Sequence, residues 1–160
     1  MRYRHAHKTA RAAEQALDLP LQVTLESLRA MIADQRQQEI VIDELPGLPG
    51  TDICGLWLVL ADKDVILHAS TRSPWHRQQI ILHEFSHMIL HHDLDATSGD
   101  FISDLLPGFD HANIRLALHR ESFNNEVELT AELLADRLAV RIRNGSGQTS
   151  EHLHFGEVFG

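Results

Sequence analysis

From Trp75 to His92 the chain runs without a glycine or proline, and Ile80, Ile81, Leu82, Phe85, Met88, Ile89 and Leu90 make that run apolar on nearly every side of a helix. A helix apolar all round is a buried helix. Its start is well marked, with Ser73 as N-cap and Pro74 at the first helical position. The constraint comes from what else the helix carries. His83, Glu84 and His87 are polar groups on an element with no water to face, and such groups are costly unless something satisfies them.

Residues four apart lie one above the other on a helix, so His83 and His87 can bind one metal ion together. Glu84 points beside that face, where it reaches a water at the metal but is poorly placed as a ligand. The run His83-Glu84-Phe85-Ser86-His87 is the HExxH arrangement of zinc metallopeptidases. The plainer account is a core helix whose histidines bond to carboxylates or backbone carbonyls. With 12 histidines in 160 residues the motif needs support from the rest of the chain.

Length predicts one domain with a substantial core. No apolar stretch reaches the ~18 residues that span a bilayer, so no membrane partner is expected. The first residues, Met1-Arg2-Tyr3-Arg4-His5-Ala6-His7-Lys8, have no apolar segment of a secretory signal. Cys54 is the only cysteine, which excludes an internal disulfide and suits the cytoplasm. Net charge is -9, which argues against direct nucleic acid binding by the domain as a whole. Arg2, Arg4, Lys8 and Arg11 precede any acidic residue and form a basic arm, expected to be a solvated terminus.

Along the chain, helices are predicted over 9–17 and, capped by Thr24, to about Gln37, with Leu21, Leu25, Leu28 and Ile32 on one face. Strands are predicted over Ile40–Asp43, Cys54–Leu60 and Val65–Ala69, with a turn at Asp62-Lys63. The motif helix follows, then irregular chain, a short helix over Ala112–His119 and a long helix over Asn125–Arg143. The layout is α+β: a small antiparallel sheet beside a helical core that carries the motif, with helical N- and C-terminal segments. Residues 1–143 form a single domain, and 144–160, rich in Gly and Ser, a mobile tail.

Catalytic zinc has three protein ligands plus water. The long helix offers Glu126, Glu128 and Glu132. Glu128 and Glu132 share a face beside Ala131, Leu134 and Ala135, but Glu132 and Asp136 have the same spacing, so the register stays open. Both acids could instead be solvated, paired with Arg137 and Arg141.

The chain resembles the ImmA/IrrE family of bacterial metallo-endopeptidases over 64–142. The resemblance rests on Arg77 and the apolar run into His83-Glu84-Phe85-Ser86-His87, on His91-His92, and on Glu128-Leu129-Thr130-Ala131-Glu132-Leu133-Leu134-Ala135. Thr130 stands where the family commonly has a second glutamate, Ser86 where it commonly has glycine, and Val140-Arg141 near its usual Met-Pro. The resemblance implies a zincin-like core, a Zn2+ cofactor held by His83, His87 and Glu128, Glu132 steadying a ligand histidine, and Glu84 as general base. It also implies a protein substrate, a helix-turn-helix transcriptional repressor. His111, His119 and Tyr3 are the candidates for an oxyanion donor, while His91 and His92 read as cations at a helix C-terminus. The competing expectation is a zinc-bound module that binds a transcriptional regulator without cutting it. A closed structural site is disfavoured because such sites commonly use several cysteines.

Overall fold

A computed structural model describes residues 2–45, 55–94, 114–118 and 123–154. In order these are α1 (Arg2–Ala16), α2 (Leu25–Arg36), β1 (Glu39–Leu45), β2 (Gly55–Leu60), β3 (Lys63–Ala69), α3 (Pro74–Ile89), a 3-10 turn (His92–Leu94), β4 (Ile114–Leu118) and α4 (Asn125–His154). The fold is α+β. The sheet has the order β1-β3-β2-β4, so β2 and β3 are interior and β1 and β4 are edges.

The sheet is mixed rather than wholly antiparallel. β2 runs antiparallel to both β3 and β4, but β1 pairs with β3 in parallel, Glu39 opposite Lys63 through Leu45 opposite Ala69. Chain connectivity explains the surprise. The short β2–β3 hairpin turns at Ala61-Asp62, one residue earlier than expected, and β1 reaches the sheet on the far side of β3. The segment expected as a helix over 112–119 contributes β4 instead. Its pairing with β2, Trp57 opposite Leu118 and Val59 opposite Leu116, overrides a local sequence that reads equally as helix.

Alternation along the strands sorts two apolar clusters. Trp57, Val59 and Ile66 face the helices and join Leu28 and Ile32 of α2, Ile81, Leu82, Phe85 and Met88 of α3, and Leu134, Ala135 and Leu138 of α4. Leu56, Leu58, Leu60, Val65 and Leu67 form a second, smaller cluster. Burying a side chain such as Phe85, fully inaccessible, is worth about 3–5 kcal/mol against truncation to alanine.

Helix α1 starts at Arg2, so the basic arm is helical. Ala6, Ala10 and Glu14 form its buried stripe, spaced four apart, and the two alanines let α1 lie close against α4. Thr24 caps α2 in a capping box with Ser27, each side chain accepting from the other's backbone N–H at 2.9 Å. Gln37 ends α2 in the left-handed region. Helix α4 runs past Arg143 to His154, so 144–154 continues a helix rather than beginning a loose tail. Gly145 is buried where α4 crosses the α1–α2 connection. A Cβ there would lie 3.0 Å from the Leu21 carbonyl oxygen and 3.1 Å from Gln22 Cα. No helix among the described residues is long and apolar enough to cross a membrane.

Candidate metal centre

Ser73 caps α3 by accepting a hydrogen bond from the His76 backbone N–H at 3.3 Å, and Pro74 occupies the first turn. The helix buries Ile80 through Leu82 and Glu84 through Met88. His83 and His87 fall on one side of it, their Nε2 atoms 3.2 Å apart. Opposite stands the first part of α4. Asn124 caps it, its side-chain oxygen accepting from Val127 N–H at 2.9 Å, while its carbonyl oxygen accepts from Glu128 N–H at 3.0 Å. That cap sets the start of α4 and presents Glu128 near the positive end of its dipole, where a carboxylate is favoured.

The three side chains converge. Glu128 Oε2 lies 2.9 Å from His83 Nε2 and Glu128 Oε1 lies 3.1 Å from His87 Nε2, with one ligand atom of each residue within 4.8 Å of every other. Glu128 Oε2 is buried and, close as it is to His83, makes no hydrogen bond of acceptable geometry. Three potential ligand atoms this close together, one of them on a carboxylate with an orphaned buried oxygen, fit a metal ion better than a hydrogen-bonded core. The group could hold a metal ion.

The register left open by spacing is resolved here. Glu128 belongs to the group. Glu132 does not; it is half-buried one turn further, near enough for its charge to favour protonated His83. Asp136 is exposed and accepts a hydrogen bond from Gln79 Nε2 at 3.0 Å. Arg137 and Arg141 pair with neither acid but with Glu14 on α1.

Electrostatics follow the geometry. Burial pushes the Glu128 carboxyl up, but the close imidazoles of His83 and His87 outweigh it and bring it down to about 2. Burial lowers His83, and the close approach of the Glu128 carboxylate with the charges of Glu84 and Glu132 reverses this, leaving it raised. Glu84 is raised, chiefly by burial, against the pull of the two imidazoles. Its Oε2 has no hydrogen-bond partner. Its Oε1 reaches so close to β2 that a Cβ on Gly55 would lie 2.9 Å from it and 2.9 Å from Ile80 Cγ2. Gly55 therefore makes room for Glu84, a role the sequence did not signal.

Two further residues fix His87. The Phe123 ring stacks on its imidazole at 4.0 Å between centroids, 13° from parallel. His92 meets its Nδ1 at 2.8 Å. The expectation of a cation at the helix C-terminus is not met by His92. Helix α3 ends at Ile89, and His91 takes a left-handed φ of 56° and is exposed. This reversal brings His92 back against His87. Burial first, then the neighbouring imidazoles, push His92 down to about 4, so it is neutral near pH 7.

The reversal is itself anchored. Arg36 donates from Nη2 to Asp93 Oδ2 at 3.4 Å, and from Nε to the fully buried Asp64 at 2.8 Å. Asp64 also accepts from Trp57 Nε1 at 3.0 Å and Gln38 Nε2 at 3.2 Å. His111 and His119 lie outside the described residues, as does Cys54. Tyr3 is exposed on α1, its hydroxyl 3.2 Å from His7 Nε2. Comparison of the chain with known protein families, with curated proteins and with solved structures finds no match.

Proposed function

We propose that the chain is a zinc-dependent metallo-endopeptidase of regulatory type, similar to the ImmA/IrrE family, acting on peptide bonds of a partner protein. The observation that carries this reading is the convergence of His83, His87 and Glu128 on one point with the uncoordinated Glu84 beside it. Two imidazoles and one carboxylate suit zinc, and three protein ligands leave a position open for water or substrate. Hydrolytic sites keep such an opening, whereas purely structural sites close it.

His83, His87 and Glu128 would hold the ion. When bound, zinc supplies Lewis acidity, lowering the pKa of water and polarising a carbonyl. Glu84 takes the proton from the attacking water and delivers it to the leaving amine. Its buried, partnerless Oε2 is free to accept that proton, and its raised pKa makes it a stronger base than a solvated carboxylate. Phe123 and His92 hold the His87 ring so that Nε2 keeps its direction. The family likeness extends the proposal to a helix-turn-helix transcriptional repressor as substrate.

The test is Glu84→Gln. It should retain stoichiometric zinc and lose all peptide hydrolysis, and the trapped substrate should co-purify with it. Unchanged biological activity in that variant would support the non-cleaving binding module instead. Failure of the wild-type chain to take up zinc would overturn both.

A further inference from the structure

Helices α1 and α4 border an open cleft of about 440 Å³, lined by His7, Lys8, Arg11, Glu14, Gln15, Arg137 and Arg141. Four cationic side chains there face one carboxylate, in a chain whose net charge is -9. The arrangement is also braced. Glu14, buried, takes Nε of Arg137 at 2.5 Å and Nε of Arg141 at 2.7 Å, one on each carboxylate oxygen. Each guanidinium has four further N–H donors on its Nη atoms. These find no hydrogen-bond partner among the described residues. Both arginines are about a third exposed, at 33% and 38%, so the Nη ends are within reach of a ligand.

Paired, pre-oriented guanidiniums with adjacent Lys8 and Arg11 are donors for an oxyanion with several oxygens, since planar forks match phosphate geometry and lysine adds a point charge. The volume lies within the usual range of small-ligand sites. We propose that this cleft binds a small, multiply charged phosphate-class anion, an inorganic polyphosphate or the phosphate groups of a nucleotide. The site is separate from the metal centre. Arg137 is nine residues beyond Glu128 on α4, about 14 Å along the helix axis. A ligand bridging Lys8 and Arg11 to Arg137 and Arg141 would tie α1 to the helix that carries Glu128.

The probe is inorganic pyrophosphate, titrated calorimetrically into the whole zinc-loaded chain at constant ionic strength, beside the Lys8→Ala/Arg11→Ala double variant. That variant leaves the Glu14 brace and the metal ligands untouched. Saturable one-to-one binding is expected, weakened at least tenfold in the variant, with a rise in Tm for the wild type alone. ATP distinguishes the sources: affinity equal to pyrophosphate means that phosphate groups are all the cleft reads, and tighter binding means that a nucleoside is held too. Equal titrations for wild type and variant would overturn the proposal, as would a Tm change reproduced by chloride. Withdrawal of zinc by the probe would move both proteins alike, and metal content measured afterwards identifies that case as the overturning result.

Discussion

His92 Nδ1 and His87 Nδ1 stand 2.8 Å apart, a contact on the far side of the His87 ring from the Nε2 that faces Glu128. Only one of the two atoms can carry the proton. A ligand at His87 Nε2 requires His87 Nδ1–H to donate and His92 Nδ1 to accept, which neutral His92 can do. Backing of this kind sets the tautomer and direction of a metal-bound imidazole.

Replacing His92 by alanine should therefore lower zinc affinity about 10–100-fold while the fold persists. Chelator competition measures it, with circular dichroism as control. Affinity unchanged from wild type would mean that the contact plays no part in holding His87.

Removing Glu128 should abolish stoichiometric zinc, whereas Glu132→Gln should change affinity by less than tenfold, because only Glu128 stands within the ligand group. Metal analysis of the two purified variants decides between them. The opposite order would move the third ligand one turn along α4.

Asp64 is fully buried and satisfies Arg36, Trp57 and Gln38 together. Breaking a buried pair from one side costs about 3–5 kcal/mol. Asp64→Ala should show that loss in urea denaturation, and should weaken zinc binding too, because Arg36 also holds Asp93 next to His92. A loss near zero would show that the network is not a structural anchor.

Gly55→Ala places a methyl group 2.9 Å from both Glu84 Oε1 and Ile80 Cγ2. Overpacking of this kind costs about 1–3 kcal/mol. Thermal denaturation should register the cost, and peptide hydrolysis should fall while zinc is retained, since no ligand is touched. A variant as stable and active as wild type would mean that β2 yields at no cost.

Acid should act in two stages. Zinc binding needs deprotonated imidazoles, so zinc should dissociate as pH falls below about 6; full occupancy at pH 4 would contradict this. The second stage concerns the metal-free chain. Burial raises Glu14, but the hydrogen bonds and charges of Arg141 and Arg137 leave it below its ordinary value, and Glu128 is held down at about 2. A carboxyl depressed in the folded state contributes stability that is fully present above its unfolded value, near 4.3, and is lost as pH falls through the folded one. Metal-free protein should thus lose stability progressively from about pH 5 downward, and Glu14→Gln should be less stable than wild type at pH 7 but nearer to it at pH 2. A constant difference between them at all pH values would remove Glu14 from the account.

Local and periodic features were legible in the chain before any folding partner was known. Ser73 and Pro74 start α3, Thr24 starts α2, and the i, i+4 spacing of His83 and His87 puts them on one face, because caps and helical period depend only on neighbouring residues. Spacing narrowed the third candidate ligand to a few acids of one helix and could go no further, since Glu128/Glu132 and Glu132/Asp136 are equally spaced. Packing of α4 against α3 places Glu128, not Glu132, in the group that could hold a metal. Tertiary structure alone made a strand of Ile114–Leu118, turned β1 parallel to β3, gave Arg137 and Arg141 to Glu14 on α1, and brought His92 back to His87. Each of these depends on a partner far off in the chain or on one residue leaving the helix at His91, and spacing along a sequence carries no record of either.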